Sequence, residues 1–400
     1  MADVYLHIGL PKTGTTYLQH LLWHSREQLA EAGVLVPGPT RQTQRQAVWD
    51  LLGRRLRGVD QPDVVGSWQR LVEAASGWTG SSVIVSEEFL ANARPHQARR
   101  AVRAFEPARV HVVVTTRDLA QVVGSAWQQA LAKGKTWTWD DFIGAVRDPE
   151  SGPATTGQAF WLRQDLIRVL DTWETAVPRD RVHLVTVAPP GSPRNLLADR
   201  FAAATGIDPA ALSTDQPSRN TSVGVAEAEV LRRLNAGLGD RLNESQYLAV
   251  LQAVRPALQQ RTSSTRIRVP RRELGWIAER SGAMVGELRL RGYEVSGDLD
   301  DLVPTSDSTG EREPDDMTDA ELADAAMDAL TAMAEQHAQL WWRTRRRQDR
   351  EGAAGRAQSL TSQARAQGFR ARLAVLELAD RNRWVNKALA VYLRRSSRTS

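Results

Sequence analysis

The sequence predicts an α/β fold, a parallel sheet flanked by helices, over residues 1–304, with an α-helical C-terminal extension behind it. Three observations carry this. Residues 82–86, 110–115 and 181–187 are continuous apolar, β-prone runs of the kind a strand buried on both faces shows. The stretches between them have apolar residues at helical spacing. Residues 4–19 pass from such a run, through a turn punctuated by Gly9, Pro11 and Gly14, straight into a helical pattern.

In chain order, the helix after that turn is expected over Tyr17–Ala32, with Leu18, Leu21, Leu22 and Leu29 on its buried side and Gly33 ending it. Residues 40–76 are mainly helical by pattern, broken by Gly53, Gly58 and Pro62. The strand at Ser82–Ser86 is followed by a basic helix near Gln97–Phe105 and then by the run at Val110–Thr115. A helix runs from Thr116-Arg117-Asp118 through Ala130, and others are expected over 137–146 and 159–176. The strand at Arg181–Val187 ends at Pro189-Pro190-Gly191, and helices follow to about Arg291. Residues 305–316 hold Ser, Thr, Gly, Pro and acids and read as a linker. Residues 317–400 form a basic extension with two long helix patterns, 318–347 and 363–395. Packing on the core, self-association as a homo-oligomer and peripheral contact with an anionic membrane surface all fit those patterns.

Hydrophobic residues make up 42% and charged residues 25%, the balance of a globular domain. The absence of cysteine excludes disulfides, thiolate zinc sites and a cysteine nucleophile. With neither a leader pattern nor an apolar stretch of about 18 residues, a cytoplasmic protein is expected. The formal charge of +5 is small for 400 residues and no reader motif accompanies it, so nucleic acid is not an expected partner. No His, Asp and Glu cluster has metal-ligand spacing, and no metal is expected.

The opening turn is built to hold an anion. Glycine lets the backbone approach closely, and the first free N–H groups of the following helix point at the ligand. Lys12 adds a mobile cation, and Thr13, Thr15 and Thr16 add short hydroxyl donors. Gly9, four residues, Gly14, Thr15 and Thr16 have Walker-like spacing, but the lysine sits at position 12 rather than just before the last hydroxyl residue. That displacement argues against a triphosphate. Arg117 follows a strand and Ser125 lies eight residues on, two helical turns later, so both project toward one ligand. Ser86-Glu87-Glu88 follows another strand and supplies two candidate bases, of which alternation lets only one face the pocket. His7 reads as a pocket-floor residue, and Ala159–Asp165 mixes aromatic, basic and amide groups fit to border an acceptor.

Pro11-Lys12-Thr13-Gly14-Thr15-Thr16 resembles the 5′-phosphosulfate loop of the sulfotransferase family, which uses 3′-phosphoadenosine 5′-phosphosulfate (PAPS). The Arg117 to Ser125 segment resembles that family's 3′-phosphate segment, and the motifs cover roughly residues 3–130. The resemblance implies a P-loop nucleoside-triphosphate-hydrolase-like sulfotransferase fold. It also implies PAPS as donor without a metal, held by Lys12, Thr13, Gly14, Thr15, Thr16, Arg117 and Ser125, with Arg219 as a late basic residue. Lys12 would act on the leaving oxygen. Where cytosolic members carry a histidine base this chain has none, and the resemblance to bacterial sequences with a Ser-Glu pair favours Glu87, with Glu88 the alternative. The implied acceptor is a hydroxyl, or an amine, of a carbohydrate, glycolipid or small metabolite. An ATP-dependent P-loop kinase and a non-catalytic nucleotide-binding module are the competing classes.

Overall fold

The computed structural model describes residues 2–54, 62–152, 155–213, 223–261, 265–306, 309–310 and 314–351. Its strands are β1 (Asp3–His7), β2 (Val34–Leu35), β3 (Ser82–Ser86), β4 (Val110–Thr116), β5 (Val182–Thr186), β6 (Val269–Pro270), β7 (Glu294–Ser296) and β8 (Thr309–Gly310). The helices of the N-terminal half are α1 (Thr15–His24), α2 (Arg26–Glu31), α3 (Arg41–Leu51), α4 (Ser67–Ser76), α5 (Pro95–Arg103), α6 (Leu119–Leu131) and α7 (Trp139–Arg147). Those that follow are α8 (Thr156–Gln164), α9 (Leu166–Glu174), α10 (Leu196–Thr205), α11 (Val225–Leu238), α12 (Glu244–Gln260), α13 (Leu274–Arg291) and α14 (Asp319–Glu351).

Six strands form one sheet in the order β2-β3-β1-β4-β5-β7, every neighbouring pair parallel. Parallel pairing buries both faces, which is why β3 and β5 are buried along their whole length. Alternation then assigns the side chains. Leu6, Val83, Val85, Val112, Val114 and Leu184 pack with Val48 of α3, Leu71 of α4 and Trp173 of α9. Ile84, Val113 and Val185 face the other way, onto Leu18 and Leu22 of α1 and Phe201 of α10. Beyond this sandwich α6, α7, α8, α11, α12 and part of α13 share a separate core. There Trp127 of α6 meets Trp139 of α7 edge to face, 5.5 Å apart.

Two expected helices are each two. The Tyr17–Ala32 pattern is cut at Ser25, a fully buried residue whose Oγ accepts from Ser213 N at 2.8 Å. The 159–176 pattern is cut at Asp165, whose carboxylate caps α9 by accepting from Arg168 N at 3.1 Å. In both places the apolar period runs on through the break, so periodicity alone does not register it.

The chain forms two compact units, Met1–Ala329 and Leu330–Ser400. The composition shift put the boundary at 304, but within 305–316 the first unit recruits β8, which pairs with β6. Asp315 likewise accepts from Trp139 N and Asp140 N at 3.1 Å each, capping α7. Of the second unit, the end of α14 is described, with Leu340, Trp341 and Trp342 exposed. The 363–395 helix pattern lies outside the described residues. Among the described residues no helix is long and apolar enough to cross a membrane.

Candidate active site

The C-terminal ends of β1, β3 and β4 are tied together beneath the opening loop by a chain of hydroxyls around one histidine. His7 is fully buried and hydrogen-bonds Ser86 Oγ through Nδ1 at 2.7 Å and Thr115 Oγ1 through Nε2 at 3.2 Å. Thr13 Oγ1 donates to Leu10 O at 2.6 Å and lies 2.9 Å from Thr115 Oγ1. With the Thr13 proton spent on Leu10, Thr115 donates to Thr13 and accepts from His7, which leaves Nδ1 to accept from Ser86. Burial pushes the His7 imidazole down to about 3, so it is neutral. It positions the loop and carries no charge.

The loop itself is strained where it turns. Lys12 has φ 73°, the one described non-glycine residue with positive φ, and Gly14 follows at φ 81° as the N-cap of α1. A side chain at Gly9 would collide with Thr15 and lie 2.9 Å from Thr115 Oγ1. This close packing lets the backbone pass directly over the ends of the strands. Gln164 of α8 donates to Pro11 O at 2.7 Å and fixes the outer side of the turn. Burial lowers the Lys12 pKa, Glu88 opposes that, and Arg255 and Lys133 add to it.

Above the loop lies a cavity of roughly 580 Å³. Lys12, Gly14, Thr15, Thr16, Arg117 and Ser125 line it together, brought there from β1, β4 and α6. Thr13 lies beneath it, fully buried. Arg117, Gln121 and Ser125 stand one helical turn apart along one face. The Arg117 guanidinium donates to Gln121 Oε1 and, at 3.5 Å, to Lys12 O, while its buried Nε has no partner. Ser125 Oγ donates to Gln121 O at 3.1 Å, the default for a helical serine that has nothing better to bond.

The two glutamates part company at the end of β3. Ser86 is the last strand residue, its N–H donating to Gln44 Oε1 at 2.8 Å and its carbonyl accepting from Gln19 Nε2 at 3.1 Å. Glu88 opens a 3₁₀ turn, Glu88–Asn92, and lines the cavity with Lys12. Glu87, favoured from the sequence to face the pocket, is not among the lining residues. It is 2% exposed, 3.6 Å from Arg45 Nε, with Oε1 buried and unpartnered. Burial pushes its carboxyl up to about 7, against the pull of Arg45 and with a push from Glu88.

That shift has a stability consequence. The folded chain keeps a proton that the unfolded chain gives up from its ordinary value of 4.5. The Glu87 contribution is therefore fully present below 4.5 and is lost as the pH climbs through about 7. Glu87→Gln removes the titration. Unfolding titrations at pH 5 and pH 8 should find the variant gaining roughly 1–3 kcal/mol on the natural chain between the two.

The structure also supplies residues that motif reading missed. Arg255 of α12 and Arg266 and Arg268, just before β6, also line the cavity. Their only sequence signal is the alternation Arg266-Ile267-Arg268 ahead of a short apolar pair. Arg219, the expected late basic residue, lies outside the described residues. A second cavity of roughly 260 Å³ shares Pro11, Lys12 and Gln129 with the first. Ala159, Phe160, Arg163 and Gln164 border it, from the segment read as an acceptor border.

No family model matches the chain, and no curated protein matches it. One solved structure is similar. It is described as a sulfotransferase from Alicyclobacillus acidocaldarius, at 12% identity and a TM-score of 0.37, over 62% of this chain and 99% of that one. A likeness of that size leaves the functional reading to this chain's own residues.

Proposed function

We propose that the chain is a PAPS-dependent sulfotransferase that moves a sulfuryl group to an acceptor hydroxyl. The observation that carries this is the meeting, in one cavity, of two separate anion-binding groups. One is the loop with Lys12 and the N-terminus of α1, and the other is Arg117 with Ser125, in a lining that also holds Arg255, Arg266 and Arg268. A nucleotide with a 5′-phosphosulfate and a 3′-phosphate needs two such sites at once, and a triphosphate needs one. The unpartnered Arg117 Nε and the displaced lysine fit the first ligand better than the second.

The acceptor oxygen attacks sulfur in line as the bond from sulfur to the bridging oxygen breaks, and the nucleotide leaves with the electron pair. Lys12, at the junction of both cavities, stabilises the charge that grows on the bridging oxygen. Glu88 takes the acceptor proton, because it is the glutamate that lines the cavity with Lys12. The Glu87 carboxyl is buried against Arg45 and is not part of the lining.

Incubating the protein with sulfur-35 PAPS and a fractionated cell extract tests the reading. Labelled product that requires intact Lys12 supports it, and nucleotide binding without transfer to any fraction favours the non-catalytic module. Arg117→Ala should weaken binding of the desulfated nucleotide by roughly 10- to 100-fold while altering turnover at saturation less, which titration calorimetry and initial rates resolve.

A further inference from the structure

The second cavity carries a charge pattern that sulfuryl transfer alone does not require. Half of its wall is apolar, with Ala126, Trp137, Phe142 and Phe160. The rest divides between neutral polar groups, Gln129, Thr155, Thr156 and Gln164, and cations, with Lys133 and Lys135 on the turn between α6 and α7, Arg163 on α8, and Lys12 at the shared end.

The turn is built, not loose. Buried Asn235 donates from Nδ2 to Leu131 O at 2.8 Å and to Lys135 O at 2.9 Å. Trp127 Nε1 donates to Trp137 O at 3.1 Å. Gly134 takes the left-handed conformation, φ 84°, that reverses the chain between the two lysines. The Arg163 side chain donates from Nε to Ala159 O at 3.0 Å.

Compensation for these charges is thin. Among the described residues Lys133, Lys135 and Arg163 have no salt-bridge partner, and Glu88 is the carboxylate felt by both Lys133 and Arg163. Lys133 is held below the ordinary lysine range by desolvation and by Arg163, and Arg163 is lowered by desolvation in turn. Cations gathered on a fixed, half-apolar wall repel one another and lose hydration, and a bound anion offsets both costs.

Resting on the sulfuryl-transfer reading, we infer that the acceptor carries its own anionic group, a carboxylate or a phosphate, on a ring or other apolar body. Lys133, Lys135 and Arg163 hold the anion, the rings of Phe142 and Phe160 hold the body, and the hydroxyl is left at the Lys12 end of the cavity.

Titration calorimetry with 1-naphthoate, 1-naphthyl phosphate and neutral 1-naphthol tests this, with the nucleotide cavity saturated by 3′-phosphoadenosine 5′-phosphate. At least one anion should bind about tenfold or more tighter than 1-naphthol. Lys133→Gln combined with Arg163→Gln should abolish that preference while 1-naphthol binding persists, which also shows that the variant is folded. Lys133 and Lys135 are both exposed, but the Lys135 ammonium already lies over the Trp137 ring, 5.1 Å from its centroid, so Lys135→Gln should give a smaller loss, and Lys133→Arg should retain the preference. Whichever anion binds tighter separates a carboxylate-bearing acceptor from a phosphorylated one. Equal binding of all three probes, no binding of any, or anion binding indifferent to the substitutions overturns the inference. A nucleotide that fails to bind counts against the sulfuryl-transfer reading alone, because the anion preference is then measured without it.

Discussion

Glu88→Gln should lower sulfuryl transfer by roughly 10²–10⁴-fold, while Glu87→Gln leaves turnover within about threefold. Both are adjacent glutamates after one strand, so the contrast isolates geometry from composition. Glu88 opens the 3₁₀ turn and lines the cavity, whereas the Glu87 carboxyl lies 2% exposed against Arg45. A general base must first reach the proton, and only then does its pKa matter. Glu87, pushed up to about 7, has the titration range of a base but not the place of one. Rates with sulfur-35 PAPS for the two variants check this, and the reverse order would make Glu87 the base and require the end of β3 to rearrange when substrate binds.

Lys12→Ala should lower turnover by roughly 10²–10³-fold and change the affinity for the desulfated nucleotide by less than about tenfold. The asymmetry follows from where the charge develops. In the proposed complex the ground-state nucleotide already has the α1 N-terminus, Thr16 and Arg117, so one ammonium adds modestly to binding. The bridging oxygen gains charge only as the bond breaks, and Lys12 is the loop cation at the junction of the two cavities. Its backbone at φ 73° holds a conformation that costs about 1–3 kcal/mol, which the surrounding hydrogen bonds sustain. Equal losses in turnover and nucleotide affinity would reduce Lys12 to a binding residue.

The sheet was legible because its central strands are buried on both faces, so Val83-Ile84-Val85 and Val112-Val113-Val114 needed no alternation to announce themselves. The edge strand β7, Glu294-Val295-Ser296, was not, because it is short, half-exposed and polar at both ends. The loop, Arg117 and Ser125 were legible because each is local to a strand-to-helix junction. Arg255, Arg266 and Arg268 were not, because only tertiary packing of the outer helical layer brings them to the cavity of a loop some 250 residues earlier. Alternation said that one of Glu87 and Glu88 faces the pocket, and it could not say which. The strand ends at Ser86, and past it the 3₁₀ turn rather than the pleat directs the side chains.

Calorimetric titration of the natural chain with 3′-phosphoadenosine 5′-phosphate, in magnesium-free buffer and beside ATP with magnesium, tests the central claim most directly. Two phosphate sites in one cavity predict tight binding of the 3′,5′-bisphosphate without metal, weakened roughly 10- to 100-fold in Arg117→Ala, and ATP weaker by about 100-fold or more. Tight binding of ATP with magnesium, and none of the bisphosphate, would contradict it.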